Sequence, residues 1–464
     1  MKICKIYIKK FEQFQDVELD FTNPETGEPL DKICFIGSNG TGKSKLLLNI
    51  KILFDTLIRG LQTSKTGHYL SSDEDSKIIY KVKHLGSYYL FYHPDNRVYI
   101  FKHSIEKITE EDFVKKIFEE DKETQFASDF WRSFKKGLLS NEFISKFEFR
   151  NNSNDLVIYS PAESSHNGYK DIKDVPITSV SDALELSKQF PYSVEVSSNT
   201  VNDFWKLLVF NMRKRAEERD NYENRSENLS KTKQQLIDEF DEFYPKVLEN
   251  LGVVWNKILD KAGLRFDIKG ASNPYQLADN LKAYIKLKRF ETTIPYNTLS
   301  TGIRNYIFRV GHIFSLYFNR DVDRGFLLVD EPENSLFPDF LFDLMETYNE
   351  VIFDRRKQNN TQVFFATHNP IVAAQFKPFE RVILVWNEDG TVKAIPGSAP
   401  EGDDPNDLLK KDFGIRELMG QKGIEVWNHY LNLKRKLKKA EATEEKMELA
   451  AEINKIGQLY NFPA

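Results

Sequence analysis

Apolar positions follow two spacings along this chain, and the spacing changes at definite places. From Ile3 to Ile8 and from Val17 to Phe21 they alternate with polar ones, the period of a half-buried strand. A turn from Asn23 to Gly27 then leads to an unbroken apolar run, Ile33 to Ile36. A glycine-rich loop and a helical run at Leu46-Leu47-Leu48 follow at once. Three more β-rich runs, Ile78 to Tyr80, Tyr88 to Tyr92 and Val98 to Phe101, are divided by Gly86 and by Pro94-Asp95-Asn96, which predicts an antiparallel meander forming a side sheet.

Residues from Thr109 to Phe149 carry apolar positions at helical spacing, then a strand from Leu156 to Tyr159 precedes a Ser/Pro/Gly/Asp-rich loop reaching Ser181. From Val201 to Leu264 the period is again helical, with dense charge between Arg213 and Lys233 and apolar ends. This predicts a helical hairpin arm projecting from the core, its polar tip solvated. Beyond Leu281 come near-continuous apolar strands, Phe326 to Val329, Val363 to Phe365 and Val382 to Val385, separated by helices that start after Gly302 and near Pro338. Strands of that kind belong to parallel sheets covered on both faces. After Pro400 the tail is helical and charged, Lys434 to Lys439 being its most basic run, and there is no internal repeat.

The chain's 464 residues suit one large α/β domain with insertions or about three domains, at roughly 150 residues each. Sixty-five basic against 70 acidic side chains leave a net charge of −5, so there is no global basic field and any nucleic-acid contact must be local. With a mean hydropathy of −0.51 and no apolar run near the roughly 18 residues of a spanning helix, no membrane association is expected. The amino terminus alternates like a strand and lacks the apolar block of a signal peptide, which predicts a cytoplasmic protein. Cys4 and Cys34 lie in apolar stretches without a CxxC pair and read as buried structural thiols.

Gly37-Ser38-Asn39-Gly40-Thr41-Gly42-Lys43-Ser44 fits G-x-x-x-x-G-K-[ST], and it stands after an apolar strand and before a helix, where its mechanism requires. Glycines let backbone N–H groups converge on phosphates, the helix start favours negative charge, Lys43 can reach the β/γ oxygens, and Ser44 can ligate Mg²⁺. Phe326 to Val329 ends in Asp330-Glu331, a strand that delivers two carboxylates at its C-terminal end. Paired with the loop, Asp330 is placed to hold Mg²⁺ and Glu331 to polarise an attacking water. Thr298-Leu299-Ser300-Thr301-Gly302 precedes a helix, and by itself reads as an ordinary cap by Ser300 or as a second anion site.

The order of these elements resembles the ATP-binding cassette class of ATPases in its SMC/RecF/OLD-like branch, a branch of AAA family ATPases. The resemblance covers roughly residues 1–60 and 285–390 and rests on the loop at Gly37 to Ser44, Leu299-Ser300-Thr301-Gly302, Asp330-Glu331-Pro332-Glu333-Asn334-Ser335-Leu336, and Ala366-Thr367-His368-Asn369-Pro370. It implies an ABC-type P-loop NTPase head that binds ATP and Mg²⁺. ATP on Lys43 and Ser44 of one subunit would meet Ser300 and Gly302 of a second, giving an ATP-dependent dimer or higher oligomer, while His368 senses the γ-phosphate. Thr301 stands where transporter cassettes usually have Gly, Ile303-Arg304 replaces the usual polar residue, and Phe337 occupies a position that is often His. No clear Q-loop glutamine is present, and Tyr159 to Glu163 is the candidate segment.

On this reading residues 1–104 form an N-terminal ATPase lobe with the side sheet, 105–200 a helical and loop insertion, 201–264 the arm, 265–400 a C-terminal ATPase lobe, and 401–464 the tail. The arm is far shorter than the coiled coils of chromosome-condensing and Rad50-like members, without hook cysteines, and the tail lacks the acidic clusters of a fused nuclease. The chain thus resembles stand-alone ATPase subunits that regulate a separate partner nuclease in bacterial antiphage systems, nearest the Septu ATPases. Two other readings stay open: a nucleotide-gated scaffold with slow turnover, and a RecF/SMC-like DNA repair ATPase. Glu331 favours an enzyme. Five basic residues within Lys434 to Lys439 spread around a helix, so DNA or RNA affinity of the chain alone is expected to be weak and salt-dependent.

Overall fold

A computed structural model describes residues 1–62, 77–102 apart from 85 and 95–98, 110–119, 155–162, 193–197, 208, 214–268 apart from 245, 285–320 apart from 295–297, 324–352, 360–460 apart from 416–417, and 462. Its strands are β1 (Lys2–Phe11), β2 (Phe14–Asp20), β3 (Lys32–Gly37), β4 (Lys77–His84), β5 (Ser87–Pro94), β6 (Tyr99–Lys102), β7 (Asp155–Ser160), β8 (Ser193–Glu195), β9 (Leu264–Phe266), β10 (Ile285–Leu287), β11 (Arg324–Asp330), β12 (Asn360–Thr367), β13 (Arg381–Trp386) and β14 (Val392–Pro396). The longer helices are α1 (Lys43–Gln62), α2 (Glu110–Glu119), α3 (Lys233–Phe243), α4 (Val247–Lys261), α5 (Thr301–Arg320), α6 (Leu344–Ile352), α7 (Pro405–Lys411), α8 (Gln421–Lys439) and α9 (Thr443–Tyr460).

Twelve of the strands form one sheet in the order β6-β5-β4-β1-β2-β14-β13-β3-β12-β11-β7-β8. The six from β13 to β8 run parallel. The meander β4-β5-β6 continues from β1 with antiparallel pairing, and in the sheet's backbone pairing β2 meets β14 through one bridge, Val392 to Phe14, β14 itself running antiparallel to β13 at the margin of the parallel block. The fold is therefore α/β: a parallel block with an antiparallel side sheet. The mixed pairing follows from connection length, since a parallel return needs a crossover of a dozen or more residues while β4 and β5 are joined by a tight turn.

Each apolar strand is buried on both faces, which explains its lack of alternation. In β11, Phe326 and Leu328 enter the core beside α1, while Leu327 and Val329 enter the core beside α4, α5 and α6. Phe54 of α1 stacks on Phe326 with ring centroids 4.3 Å apart. Each such fully buried side chain contributes roughly 1.5–3 kcal/mol. Gly325 lets β7 come close, because a Cβ there would meet the Leu156 carbonyl oxygen at 2.0 Å.

Three expectations of organisation are met differently by the structure. The segment 105–200, expected as an insertion, supplies β7 and β8 to the central sheet. The arm is divided: its polar part holds a helical stretch over 214–223 and α3, capped by Thr232 with a reciprocal bond to Gln235, whereas α4 is core. Trp255 of α4 is fully buried and its Nε1 donates to the Ile307 carbonyl at 2.9 Å. Apolar residues recurring along α4 require a partner face, and α5 provides it. Finally, α7 belongs to the head, because Asp412 just after it pairs with Arg381 at 3.2 Å, both side chains fully buried. In the rest of the tail, α8 and α9 pack on each other as a hairpin, with Trp427 and Tyr430 of α8 clustered against Phe462 just past α9. Cys4 and Cys34 are buried.

Candidate functional site

The loop between β3 and α1 carries the residues that the sequence marks as a candidate phosphate site. Ser38, Asn39 and Gly40 are exposed, and Ser44 sits exposed in the first turn of α1. Thr41 Oγ1 donates to the Ser38 carbonyl at 2.8 Å, and Gln13 Nε2 donates to the Gly40 carbonyl at 2.9 Å, so the loop is braced from inside and from the β1–β2 turn. Gly42 has φ +95°, and a Cβ there would lie 2.4 Å from Gln13 Nε2 and 2.6 Å from the Phe14 ring; both facts demand glycine. Lys43, 6% exposed, donates to the carbonyls of Gly37 at 2.7 Å and Ser38 at 3.1 Å. Burial lowers its pKa, opposed by the carboxylates of Glu331, Asp330 and Glu333. An anionic group entering the loop thus meets a partly desolvated ammonium that can exchange carbonyl partners for phosphate oxygens.

Parallel strands place their C-terminal ends on one edge, where ligands of open α/β sheets bind. Asp330 at the end of β11 is buried and accepts from the Ser44 side chain and the Ala162 backbone N–H. Desolvation raises its pKa, with those hydrogen bonds acting in the opposite sense. Its Oδ1 is buried and has no hydrogen-bond partner. Glu331 adopts φ +44°, an unusual conformation for a non-glycine residue. It is held by its N–H donating to the Ala366 carbonyl at 2.9 Å and by Arg309 Nη1 donating to its own carbonyl at 3.0 Å. His368, at the end of β12, has Nδ1 3.4 Å from Glu331 Oε1 and 3.7 Å from Glu333 Oε1.

Sequence reasoning therefore named Lys43, Ser44, Asp330, Glu331 and His368, and the fold gathers them at one edge. Ser300 and Gly302 stand elsewhere on that description, at the head of α5. The Ser300 hydroxyl accepts from the Ile303 N–H at 3.4 Å, and a Cβ on Gly302 would lie 1.9 Å from the Ser335 carbonyl oxygen. The signature thus packs on the turn that follows β11. Phe337 is exposed and makes an edge contact with Phe340. In the candidate Q-loop segment, Tyr159 and Ser160 end β7 and Ala162 touches Asp330, while Glu163 lies outside the described residues.

Two residues were missed. Arg309 is buried and clamps the carbonyls of Glu331 and Pro161, tying α5 to both strand ends. Glu333 is 5% exposed, and its Oε1 accepts from Thr367 Oγ1 at 2.5 Å and from the His368 N–H at 3.2 Å. A buried arginine within an apolar helical run was the available signal for the first. For the second it was a further carboxylate inside Asp330-Glu331-Pro332-Glu333.

The residues present fit Mg²⁺: a hydroxyl and a carboxylate already in contact, with an unpartnered buried carboxylate oxygen, are a hard oxygen donor set. Ser44 and Asp330 would hold the ion. Among the described residues no group of three or more His, Cys, Asp or Glu forms a protein-only metal cluster.

The pattern of the AAA ATPase domain matches residues 1–373. The SMC head bound to the C-terminal winged-helix domain of ScpA is 12% identical, with a TM-score of 0.40 over 86% of this chain and 98% of that one. The SMC head domain from Thermotoga maritima is 10% identical, with a TM-score of 0.39 over 86% and 100%. The search of characterised proteins found no match. Over residues 1–373, four-fifths of its length, the chain belongs to the AAA ATPase domain family.

Proposed function

We propose that the chain is a Mg-dependent ATPase whose heads pair around ATP and whose turnover regulates a partner effector nuclease in antiphage defence, in the manner of Septu ATPases. One observation carries the ATPase reading: the Ser44 hydroxyl meets Asp330, and Glu331 stands beside it in a strained conformation within 3.4 Å of His368. A site that only binds nucleotide has no use for that second carboxylate. In this assignment Gly37, Ser38, Asn39, Gly40, Thr41 and Gly42 offer backbone N–H groups, and Lys43 supplies positive charge to the β/γ oxygens. Glu331 accepts the proton of the attacking water, and His368 contacts the γ-phosphate. Mg²⁺, when held by Ser44 and Asp330, would neutralise charge on the phosphates.

Ser300 and Gly302, placed at the head of α5, would complete the site of a second copy. The family resemblance supports the pairing and the nuclease partner, and a nucleic acid would be reached chiefly through that partner. Lys43→Ala should weaken ATP binding by at least about tenfold, since each tenfold is only 1.4 kcal/mol and a buried ammonium is lost. Titration with a fluorescent ATP analogue measures this. Unchanged affinity would refute the phosphate assignment. Co-purification with the neighbouring gene product, with and without ATP, tests the partner. An eluate without a nuclease in either condition would refute that part.

A further inference from the structure

We propose that Glu333 is a positioning residue that fixes His368 for turnover; the inference rests on the ATPase reading above. Glu333 lies in the turn after β11, whose backbone is set by the Leu336 N–H donating to the Glu333 carbonyl at 2.9 Å. From there its Oε1 reaches across to the end of β12, where it takes the Thr367 hydroxyl at 2.5 Å and the His368 N–H at 3.2 Å, and it stands 3.7 Å from His368 Nδ1. One carboxylate oxygen thus joins the turn carrying Glu331 to the residue expected to sense phosphate.

The two carboxylates beside the imidazole are unlike. The Glu331 side chain is 28% exposed, that of Glu333 only 4%. An exposed carboxylate moves with its rotamers, whereas Glu333 is held by packing and by two hydrogen bonds to consecutive residues. The His368 side chain is itself 51% exposed, and a half-exposed ring samples several rotamers unless something anchors it. Nδ1 and Nε2 flank Cε1 and point in divergent directions, so holding Nδ1 inward leaves Nε2 facing outward. That is the orientation in which Nε2 can meet an oxygen anion bound at the loop. Thr367 alone would be satisfied by any acceptor. The reach to His368 is what requires a side chain of this length.

A double-mutant cycle on ATP hydrolysis tests the assignment. Glu333→Ala should lower kcat by about tenfold or more, the usual effect of removing a group that orients a site residue, with KM for ATP changed by less than about twofold, a loss confined to the transition state. The double variant Glu333→Ala/His368→Ala should be no slower than His368→Ala alone. Glu333→Gln keeps an acceptor at the same reach and should retain most of the activity. Glu333→Asp keeps the charge but not the reach and should resemble Glu333→Ala; it also serves if the alanine variant does not fold. Additive losses in the cycle, or full activity in Glu333→Asp, would overturn the proposal. A wild-type chain without turnover would instead refute the ATPase reading. His368 is then followed by ring ¹⁵N resonances of the nucleotide-free protein, where Glu333→Asp should shift them and an unchanged spectrum contradicts the positioning role.

Discussion

Asp330 and Glu333 are carboxylates buried at a strand end, and desolvation raises the pKa of both. A raised carboxyl takes up protons more readily in the folded chain than in the unfolded one. Its contribution therefore favours the fold below the unfolded carboxylate range and is lost as pH rises through the folded value. Once ionised, the buried Asp330 carboxylate costs stability, a cost that the proposed cation would offset. Asp330→Asn should raise Tm in nucleotide-free protein with chelator at pH 8, and the gain should shrink as pH falls towards about 4, the ordinary carboxylate range. The same substitution should reduce turnover by at least about 100-fold. Thermal unfolding at several pH values checks this, and a Tm below wild type at pH 8 would contradict the account.

Among the elements, α5 ties several parts of the candidate site together. Its head packs on the Ser335–Leu336 turn through Gly302, its middle clamps Glu331 and Pro161 through Arg309, and its far side receives Trp255. Gly302→Ala must displace the Ser335 backbone, at a cost of about 1–3 kcal/mol, read as a lower denaturant midpoint together with reduced turnover. Normal stability would show that the turn yields freely. The helix was legible in the sequence because Leu299-Ser300-Thr301-Gly302 and the apolar run after it are local signals. The strands β3, β11, β12 and β13 were legible for the same reason, each an apolar run, and the first three end in a recognisable group. What was not legible depends on contacts distant in sequence. The place of β7 beside β11 is set by backbone pairing, and Glu333 meets His368 across 35 positions. The core role of α4 was hidden because an apolar helical face says that it has a partner and not which one.

At the scale of the whole molecule, the parallel block and the side sheet share one apolar core, in which Phe21 packs edge-on against Phe35 and Phe364, whereas the α8–α9 hairpin packs chiefly on itself. The hairpin is the separable part: α7 is not, since removing Asp412 would leave the Arg381 guanidinium buried without its partner, a loss of about 3–5 kcal/mol. Truncation before Gly420 should therefore spare stability and ATP hydrolysis and weaken complex formation with a partner, whereas truncation at Asp404 should destabilise the head. Size-exclusion chromatography and thermal unfolding of the two truncations distinguish these outcomes. Partner binding at full stoichiometry without α8 and α9 would move docking to the arm. Pairing of heads makes a separate demand. Ser300 is exposed, so Ser300→Arg should leave nucleotide binding nearly intact and abolish turnover. A fully active monomer would refute the composite site.

The central claim is that this edge of the sheet hydrolyses ATP with Glu331 as the group that engages water. Phosphate release from ATP and Mg²⁺ by wild type and Glu331→Gln, with binding affinity followed in parallel, tests it most directly. The account predicts unchanged affinity and a fall in kcat of about 100-fold or more. Equal turnover in the two proteins would contradict it.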